Sequence, residues 1–441
     1  MACTRIKAGS AIEEITPATS QFLSGYPYVE RMSRGAHDPL DSSALYLTNG
    51  KEQVLFVSDD LVYLDKESVA KIREGISAKT GIPSCKIFVA TTHTHSGPVT
   101  VDLVMTRKDK VVKPVDRECL RLIEEASVKA GCRAFESAQE AEVAFVMGDA
   151  TGVGTNRHDP KGPADMQLPT MLVRSLSHEY IGCMLVCCMH PTVLHEDSKL
   201  YSRDFPGYAK DKLQAEVLGK GCPVVYYTGT AGDQSPRHVT KGNTFAEAQR
   251  LGEILADSIV SKIAEGAVFT DDLDIKVASE CLDLPKRQFP PVEVAREHRD
   301  KVKAHFEEMK HSTTATPQET RTAEVDWFGS EEALLLSEIA QTGGLEEIYG
   351  TCLPAEVMMV KVGDWKFVGW PGEVFAEFGL ALKAQFKNIS LITYANGELQ
   401  GYVVTREAHE KGFYEAGNSF FDVVAGYLML DATKRLVERL S

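Results

Sequence analysis

Two histidines separated by one residue close an apolar run in THTHSGP, at His93 and His95. In an extended strand, residues i and i+2 face the same side. The two imidazoles are therefore expected to project together where the chain leaves a sheet. Each buried ring nitrogen needs a partner, and neutral imidazole is a good zinc ligand. A third histidine, His190 in MHPT, ends another apolar run. Alone, it reads as a strand-end histidine capped by a backbone carbonyl. Three histidines at strand termini would meet at one edge of an α/β sheet, where such folds place their sites.

Two further stretches carry polar groups that could act there. GTAGDQSP, residues 229–236, follows the apolar run CPVVYYT. Its glycines suit a tight turn that lets backbone approach a ligand. Ser235 is open to three readings: nucleophile, hydrogen-bond donor, or turn residue before proline. In WPGE, Glu373 sits after a turn and before a helix, where a carboxylate commonly answers the helix dipole. Asp59 and Asp60 end the run VLFVS, and one of them is a candidate to hold a ligand imidazole. Arg203 and Asp204 read as an ion pair with each other. His195, next to Glu196 and Asp197, reads as solvated loop; His158 is a candidate for the pocket entrance. Trp365 and Trp370 read as core.

The elements that must position these residues alternate strand and helix. SSALYLTNGKEQVLFVSDD predicts two strands around an Asn49-Gly50 turn. KESVAKIREGISAKTG predicts an amphipathic helix closed by Gly81, and CKIFVATTHTH a buried strand after it. Strand, helix, strand in that order implies an α/β core with parallel pairing. Residues 115–132 and 245–266 predict helices, and AEVAFVMGDA, PTMLVRSL, IGCMLVCCMHP and CPVVYYT predict strands. Residues 291–345 are charged and broken by HSTTATPQET, so they read as a helical insertion on the surface of the core. AEVMMVKVGDWKFVGWPGE returns to a hairpin with a Gly363-Asp364 turn. The expected fold is α/β: mixed β-sheets layered with α-helices, with the metal site at strand ends. Chemistry-bearing residues come from both ends of the chain, so one domain spanning 1–441 is expected.

The formal net charge of -15 argues against nucleic acid and anionic membranes as partners. The 10 cysteines are scattered without a CxxC pattern, which suits reduced thiols in the cytoplasm. No apolar run approaches the ~18 residues of a membrane span. The N-terminus has no apolar leader, so a cytoplasmic location is expected.

Taken together these motifs resemble the N-terminal catalytic domain of the neutral, non-lysosomal ceramidases. The matching stretches are GSAIEEITP at 9–17, VSDDL at 57–61, THTHSGP, Asn156-Arg157, MHPT, SRDFPGYA at 202–209, GTAGDQSP, PGE, and Asn396-Gly397 through Gly401-Tyr402 to Tyr414-Glu415, in the family's order. The resemblance implies zinc held by His93, His190, Glu373 and Tyr414. It implies that His95 and Arg157 face the substrate, and that Ser235 is catalytic. The implied reaction is hydrolysis of a linear amide, by zinc-activated water or by Ser235. NSFFDVVAGYLML departs from the family's motif and carries over no substrate-binding tyrosine, Tyr427 being the remaining candidate. Arg237 stands where the resemblance leads one to expect asparagine. The resemblance covers neither a secretion signal nor a C-terminal β-sandwich. The substrate is therefore expected to be a small or lipid-like amide. The alternatives are a small soluble ester, lactone or sugar-linked amide, and a zinc protein that binds without catalysis.

Overall fold

The computed structural model describes residues 5–441. An eight-stranded sheet forms its first half. In chain order its strands and their neighbours are β1 (Lys7–Glu14), β2 (Asp41–Thr48), β3 (Gln53–Asp59), β4 (Ile87–Thr91), β5 (Gln139–Asp149), the two-residue β6 (Thr155–Asn156), β7 (Gln167–Ser175), β8 (Tyr180–Cys187) and β9 (Val224–Thr228). The order across the sheet is β4-β3-β2-β1-β5-β7-β8-β9, without β6. Only β3/β4 and β8/β9 pair in parallel; the other neighbours are antiparallel. Within this sheet the expected parallel pairing is thus confined to two strand–helix–strand units, one at each edge.

After β10 (Gln234–Ser235), the strands β11 (Ile275–Leu282), β12 (Ala355–Val362), β13 (Trp365–Gly369) and, after the two-residue β14 (Glu373–Val374), β15 (Ile389–Ile392) form a second sheet in the order β11-β12-β13-β15. The last strand, β16 (Tyr402–Val403), pairs with β14 alone. The two large sheets face each other across Phe56, Phe88, Tyr227, Met358, Val360 and Phe367. Leu55 and Val57 alternate with Phe56 and point the other way, into helices α1 (Lys66–Thr80) and α2 (Arg117–Glu136). Helices α3 (Asp204–Leu213) and α4 (Phe245–Ala264) cover the β5–β9 half of that outer face. Both faces of β2, β3, β4, β8 and β9 are largely buried, which explains why most of them read as continuous apolar runs.

The remaining helices are α5 (Val292–His311), α6 (Pro317–Gln341), α7 (Leu345–Cys352), α8 (Ala376–Gln385), α9 (Arg406–Lys411), α10 (Tyr414–Gly417) and α11 (Val424–Leu440). Phe378 of α8 and Met429 and Leu436 of α11 cover the second sheet against Val357, Met359 and Val368. The result is helix, sheet, sheet, helix in four layers. Helix α1 begins at Asp65, whose carboxylate accepts the Ser68 N–H at 2.7 Å, and ends at Gly81 with φ of 77°. That is the left-handed stop expected there. The insertion is a pair of packed helices, α5 and α6, broken at the polar loop as expected.

Among the described residues no helix is long and apolar enough to cross a membrane. The nine described cysteines are unbonded, and Cys85 and Cys281 are exposed rather than buried. Cys3 and the first residues of the stretch read as lacking a leader lie outside the described residues.

Buried carboxyls make the fold sensitive to alkali. Burial pushes Asp59 from an ordinary 3.8 to about 7, against the hydrogen bond from Ser127. Asp204 is likewise pushed to about 7, chiefly by burial. The folded state then holds protons the unfolded chain has released. The stability this confers is complete below pH ~4 and is lost as pH rises through ~7. Urea unfolding between pH 5 and 8 is expected to show falling stability with rising pH, and Asp59→Asn a shallower fall. An unchanged slope in the variant would remove Asp59 from this account.

Candidate metal centre

The HxH segment does not converge by strand alternation. Strand β4 ends at Thr91, and His93 adopts φ of 63°, uncommon for a residue with a side chain. The turn is held by Thr92 N–H on the Asp59 carbonyl (2.9 Å) and His93 N–H on the Leu61 carbonyl (2.8 Å). It delivers the His93 ring to the sheet edge, where His190 arrives beyond the end of β8. The two Nε2 atoms stand 3.1 Å apart, and His95 Nε2 lies 3.2 Å from His93 Nε2. Glu373, at the start of β14, brings Oε2 to 3.2 Å from His190 Nε2 and 3.7 Å from His93 Nε2.

Proton bookkeeping shows what this arrangement lacks. His93 Nδ1 faces the Val62 carbonyl at 3.0 Å, and His190 Nδ1 faces the Ala231 carbonyl at 2.5 Å. A carbonyl only accepts, so both rings carry their proton on Nδ1. Burial outweighs the pull of Glu373 and holds His93 down to about 3, so its ring is neutral. The Glu373 carboxyl is opposed by burial, yet His93, His190 and the Tyr63 hydroxyl hold it below the usual carboxylate range. Its Oε2 has no hydrogen-bond donor. Three lone-pair atoms therefore converge, all buried, with no proton between them. A cation satisfies all three at once. Bonds of about 2.0–2.2 Å in a tetrahedron set donor atoms about 3.3–3.6 Å apart. The residues present fit zinc.

His95 differs from the other two. It is only half-buried, and its Nδ1 has no partner to fix the tautomer. It also packs edge-on to Tyr26, ring centroids 5.4 Å apart. A ligand imidazole is normally oriented by a hydrogen bond from its other nitrogen. His93 and His190 meet that condition and His95 does not, leaving it free to exchange a proton. A side chain at Gly25, where φ is 105°, would place its Cβ 2.4 Å from His95 Nδ1. Gly25→Ala is therefore expected to displace the His95 ring. A displacement near 1 Å costs about 100-fold in turnover. Metal content should be unchanged; wild-type turnover in this variant would deny His95 a role.

The 229–235 loop ties the centre together. Ala231 holds His190, and the Gly232 N–H donates to the Val374 carbonyl at 2.9 Å. Asp233 accepts the Ala376 N–H at 2.9 Å and the Asn156 amide at 2.7 Å. Asp233 thus caps α8, and Glu373 is not the capping group. Ser235 is paired with Thr155 across β10/β6 and lies on the same cleft; its hydroxyl accepts the Arg237 N–H at 3.1 Å. Arg157 is buried, with Nε and Nη2 each 2.8 Å from a Glu415 oxygen, and its guanidinium lies 4.9 Å from the Tyr414 ring centre.

No family model matches the sequence. The structure is similar to that of neutral ceramidase from Pseudomonas aeruginosa, with a TM-score of 0.76 and 18% identity over 99% of this chain and 75% of that one. It is similar too to a ceramidase complexed with C2, at TM-score 0.73 and 17% identity over 99% of this chain and 76% of that one. The chain has the neutral ceramidase fold.

Within that fold the cleft encloses about 170 Å³. His95, His190, Glu373, Arg157, Ser235 and Tyr414 all line it, so the expected residues share one site. Sequence reasoning missed three tyrosines. Tyr63 donates its hydroxyl to Glu373 Oε1, and Tyr394 stacks on His93 with ring centres 3.9 Å apart. Tyr402 is the register partner of Glu373 across β14/β16, and the Tyr414 ring meets it edge-on at 5.9 Å. Tyr402 lay within the matched Gly401-Tyr402 segment, but nothing in its spacing marked it.

Other expectations are corrected. Neither Asp59 nor Asp60 supports an imidazole; carbonyls do. Asp60 binds Lys210, and Asp59 accepts from Ser127. Arg203 pairs with Asp38, Asp41 and Asp211, while Asp204 accepts backbone N–H groups of Leu194 and Phe205. His195 is half-buried on the cleft, because the loop after MHPT folds back over Tyr26. His158 binds Glu415 and stacks on Phe413, outside the cleft lining. Tyr427 packs on Phe378. The helical insertion is more than a surface addition, since Arg321, Val325, Phe328 and Glu332 of α6 form a wall of the cleft.

Proposed function

We propose that the chain is a zinc-dependent amidohydrolase, one catalytic domain over 1–441, that cleaves a linear N-acyl amide. The observation that carries this reading is the convergence of His93 Nε2, His190 Nε2 and Glu373 Oε2 without a proton among them. Zinc held there supplies Lewis acidity and a water whose pKa falls toward ~7. A phenol completes the ligand set. The sequence pointed to Tyr414, but the geometry favours Tyr402, which faces Glu373 in register, with Tyr414 one ring further out.

The chain's own residues divide the remaining work. Arg157, kept cationic by Glu415, offers positive charge to the carbonyl oxygen as the amide is attacked. His95, neutral because burial holds it well below its ordinary range, takes the proton released by the attacking oxygen and passes it to the leaving nitrogen, from a ring no carbonyl restrains. Among the described residues no imidazole or carboxylate hydrogen-bonds the Ser235 hydroxyl, which favours Ser235 as a donor to substrate over Ser235 as nucleophile. Val99, Val101, Leu103 and Phe328 line the cleft and suit an acyl chain. Unbonded cysteines suit the cytoplasm.

A panel of N-acyl amines, matched esters and lactones tests the proposal. Amide turnover abolished by a chelator and restored by zinc is the expected result. Turnover of esters or lactones alone would move the chain to the soluble-ester reading. None on any substrate by the zinc-loaded protein would leave a binding protein.

A further inference from the structure

The cleft contains a cation that the reaction above does not use. Three guanidiniums line it: Arg157, Arg237 and Arg321. Arg157 is paired with Glu415, and Arg321 with Glu196 (3.2 Å) and Glu324 (2.6 Å). Arg237 has no carboxylate partner among the described residues; its only side-chain hydrogen bond runs from Nη1 to the Thr322 hydroxyl at 3.2 Å. Glu415 and Asp326 act on it only at longer range, while Arg157 and Arg321 repel it. Burial, and after it Arg157, hold the guanidinium down to about 10, so the site disfavours its own charge.

We propose that Arg237 is a recognition residue for a substrate carboxylate, and that the substrate class is N-acyl amino acids. Two placements decide the class. Arg237 lies next to the reacting end of the cleft: its N–H donates to Ser235 Oγ, and its backbone follows the pair β10/β6 that carries Asn156 and leads into Arg157. The anion it takes is therefore close to the scissile amide, as on an amino acid, and not at the far end of an acyl chain. The apolar wall begins beside it. Along α6, Arg321 and Thr322 are followed by Val325 and Phe328, about 6 Å and about 10 Å beyond Arg321 along the axis at about 1.5 Å per residue. The cleft thus sets a cation beside the amide chemistry, with apolar surface running on from it. Glu332 lies about 16 Å of helix rise beyond Arg321 and forms no ion pair with Arg237 among the described residues. A guanidinium fork with free N–H groups matches a carboxylate in two parallel hydrogen bonds.

This inference rests on the proposed amide hydrolysis, so its test needs a readout that survives failure of that reading. Turnover of N-lauroylglycine is compared with that of N-lauroylethanolamine, which replaces carboxylate by alcohol. Wild type should favour the glycine amide in kcat/KM by ~10–100-fold, the worth of a charge-assisted hydrogen bond, and Arg237→Gln should erase that ratio. Calorimetric binding of the non-hydrolysable dodecylsulfonyl amides of glycine and ethanolamine, on the same zinc-loaded proteins, should show the same preference, lost in the variant and weakened by salt. Because each variant is compared with itself on two ligands, partial misfolding does not mimic the result. Equal kcat/KM for both substrates in wild type, or a preference untouched in Arg237→Gln, overturns the inference. If neither amide is hydrolysed, the proposed reaction fails, and the sulfonamide preference still decides the role of Arg237.

Discussion

Glu373→Gln will strip the chain of zinc and abolish turnover while leaving it folded. The substitution keeps the shape of the side chain and removes the charge that the cation balances. Glutamine also turns an NH₂ group toward one side of a site built only of acceptors. Loss of an outer partner of a ligand costs about 10–100-fold in metal affinity, so loss of a ligand itself is expected to exceed ~100-fold. Metal analysis after dialysis against a weak chelator reads this directly. Stability supplies an independent check. In the metal-free wild type a buried carboxylate oxygen without a donor faces two imidazole lone pairs, an arrangement that costs free energy. The metal-free variant should therefore unfold at higher urea than metal-free wild type. A variant that keeps stoichiometric zinc would show that Glu373 is not a ligand.

Lys210→Met is the substitution with the largest expected effect on stability. Lys210 Nζ lies 2.9 and 3.1 Å from the two Asp60 oxygens, and both residues are buried. Asp60 also accepts the Asp41 N–H at 3.0 Å, and Arg203 lies beside Asp41 at 3.1 Å. Methionine fills the space but leaves Asp60 as a buried, unpaired carboxylate. Breaking such a pair from one side costs about 3–5 kcal/mol. Replacing both partners by apolar groups should cost far less, so the Asp60→Leu, Lys210→Met double variant is expected to recover most of the loss. Asp60 directly follows β3, and the turn it begins supplies the Leu61 and Val62 carbonyls that hold His93. The single variant is therefore expected to weaken zinc binding as well. Urea unfolding of the three proteins, followed by metal analysis, checks both statements; a single variant within 1 kcal/mol of wild type, roughly the worth of an exposed pair, would deny the pair its buried character.

Much of the fold was legible because its signals are local. The turn at Asn49-Gly50, the stop at Gly81 and the apolar runs of β8 and β9 each follow from residues adjacent in sequence. His93 and His190 were legible because each follows an apolar run and so falls at a sheet edge, whereas Glu373, at the start of β14, was reached only through the family resemblance. The reason given for His93 was nonetheless wrong: strand alternation stops at Thr91, and a left-handed residue aims the ring. What could not be read depends on long-range register. Tyr402 faces Glu373 only because two two-residue strands pair, and no spacing rule links positions so placed. Asp60 looked like support for an imidazole because it neighbours the site in sequence, but its partner is on α3, far along the chain. The insertion looked like surface because residues 291–345 are charged and broken by the polar loop HSTTATPQET. Packed against α5, it turns several of these inward and becomes a cleft wall.

X-ray absorption at the zinc edge of the stoichiometrically loaded protein puts the central claim to the most direct test. The account predicts one zinc per chain with a nitrogen and oxygen shell at about 2.0–2.2 Å, including the outer scattering of two imidazoles. Failure to hold zinc at stoichiometry, or sulfur scattering at about 2.3 Å from the free cysteines, would contradict it.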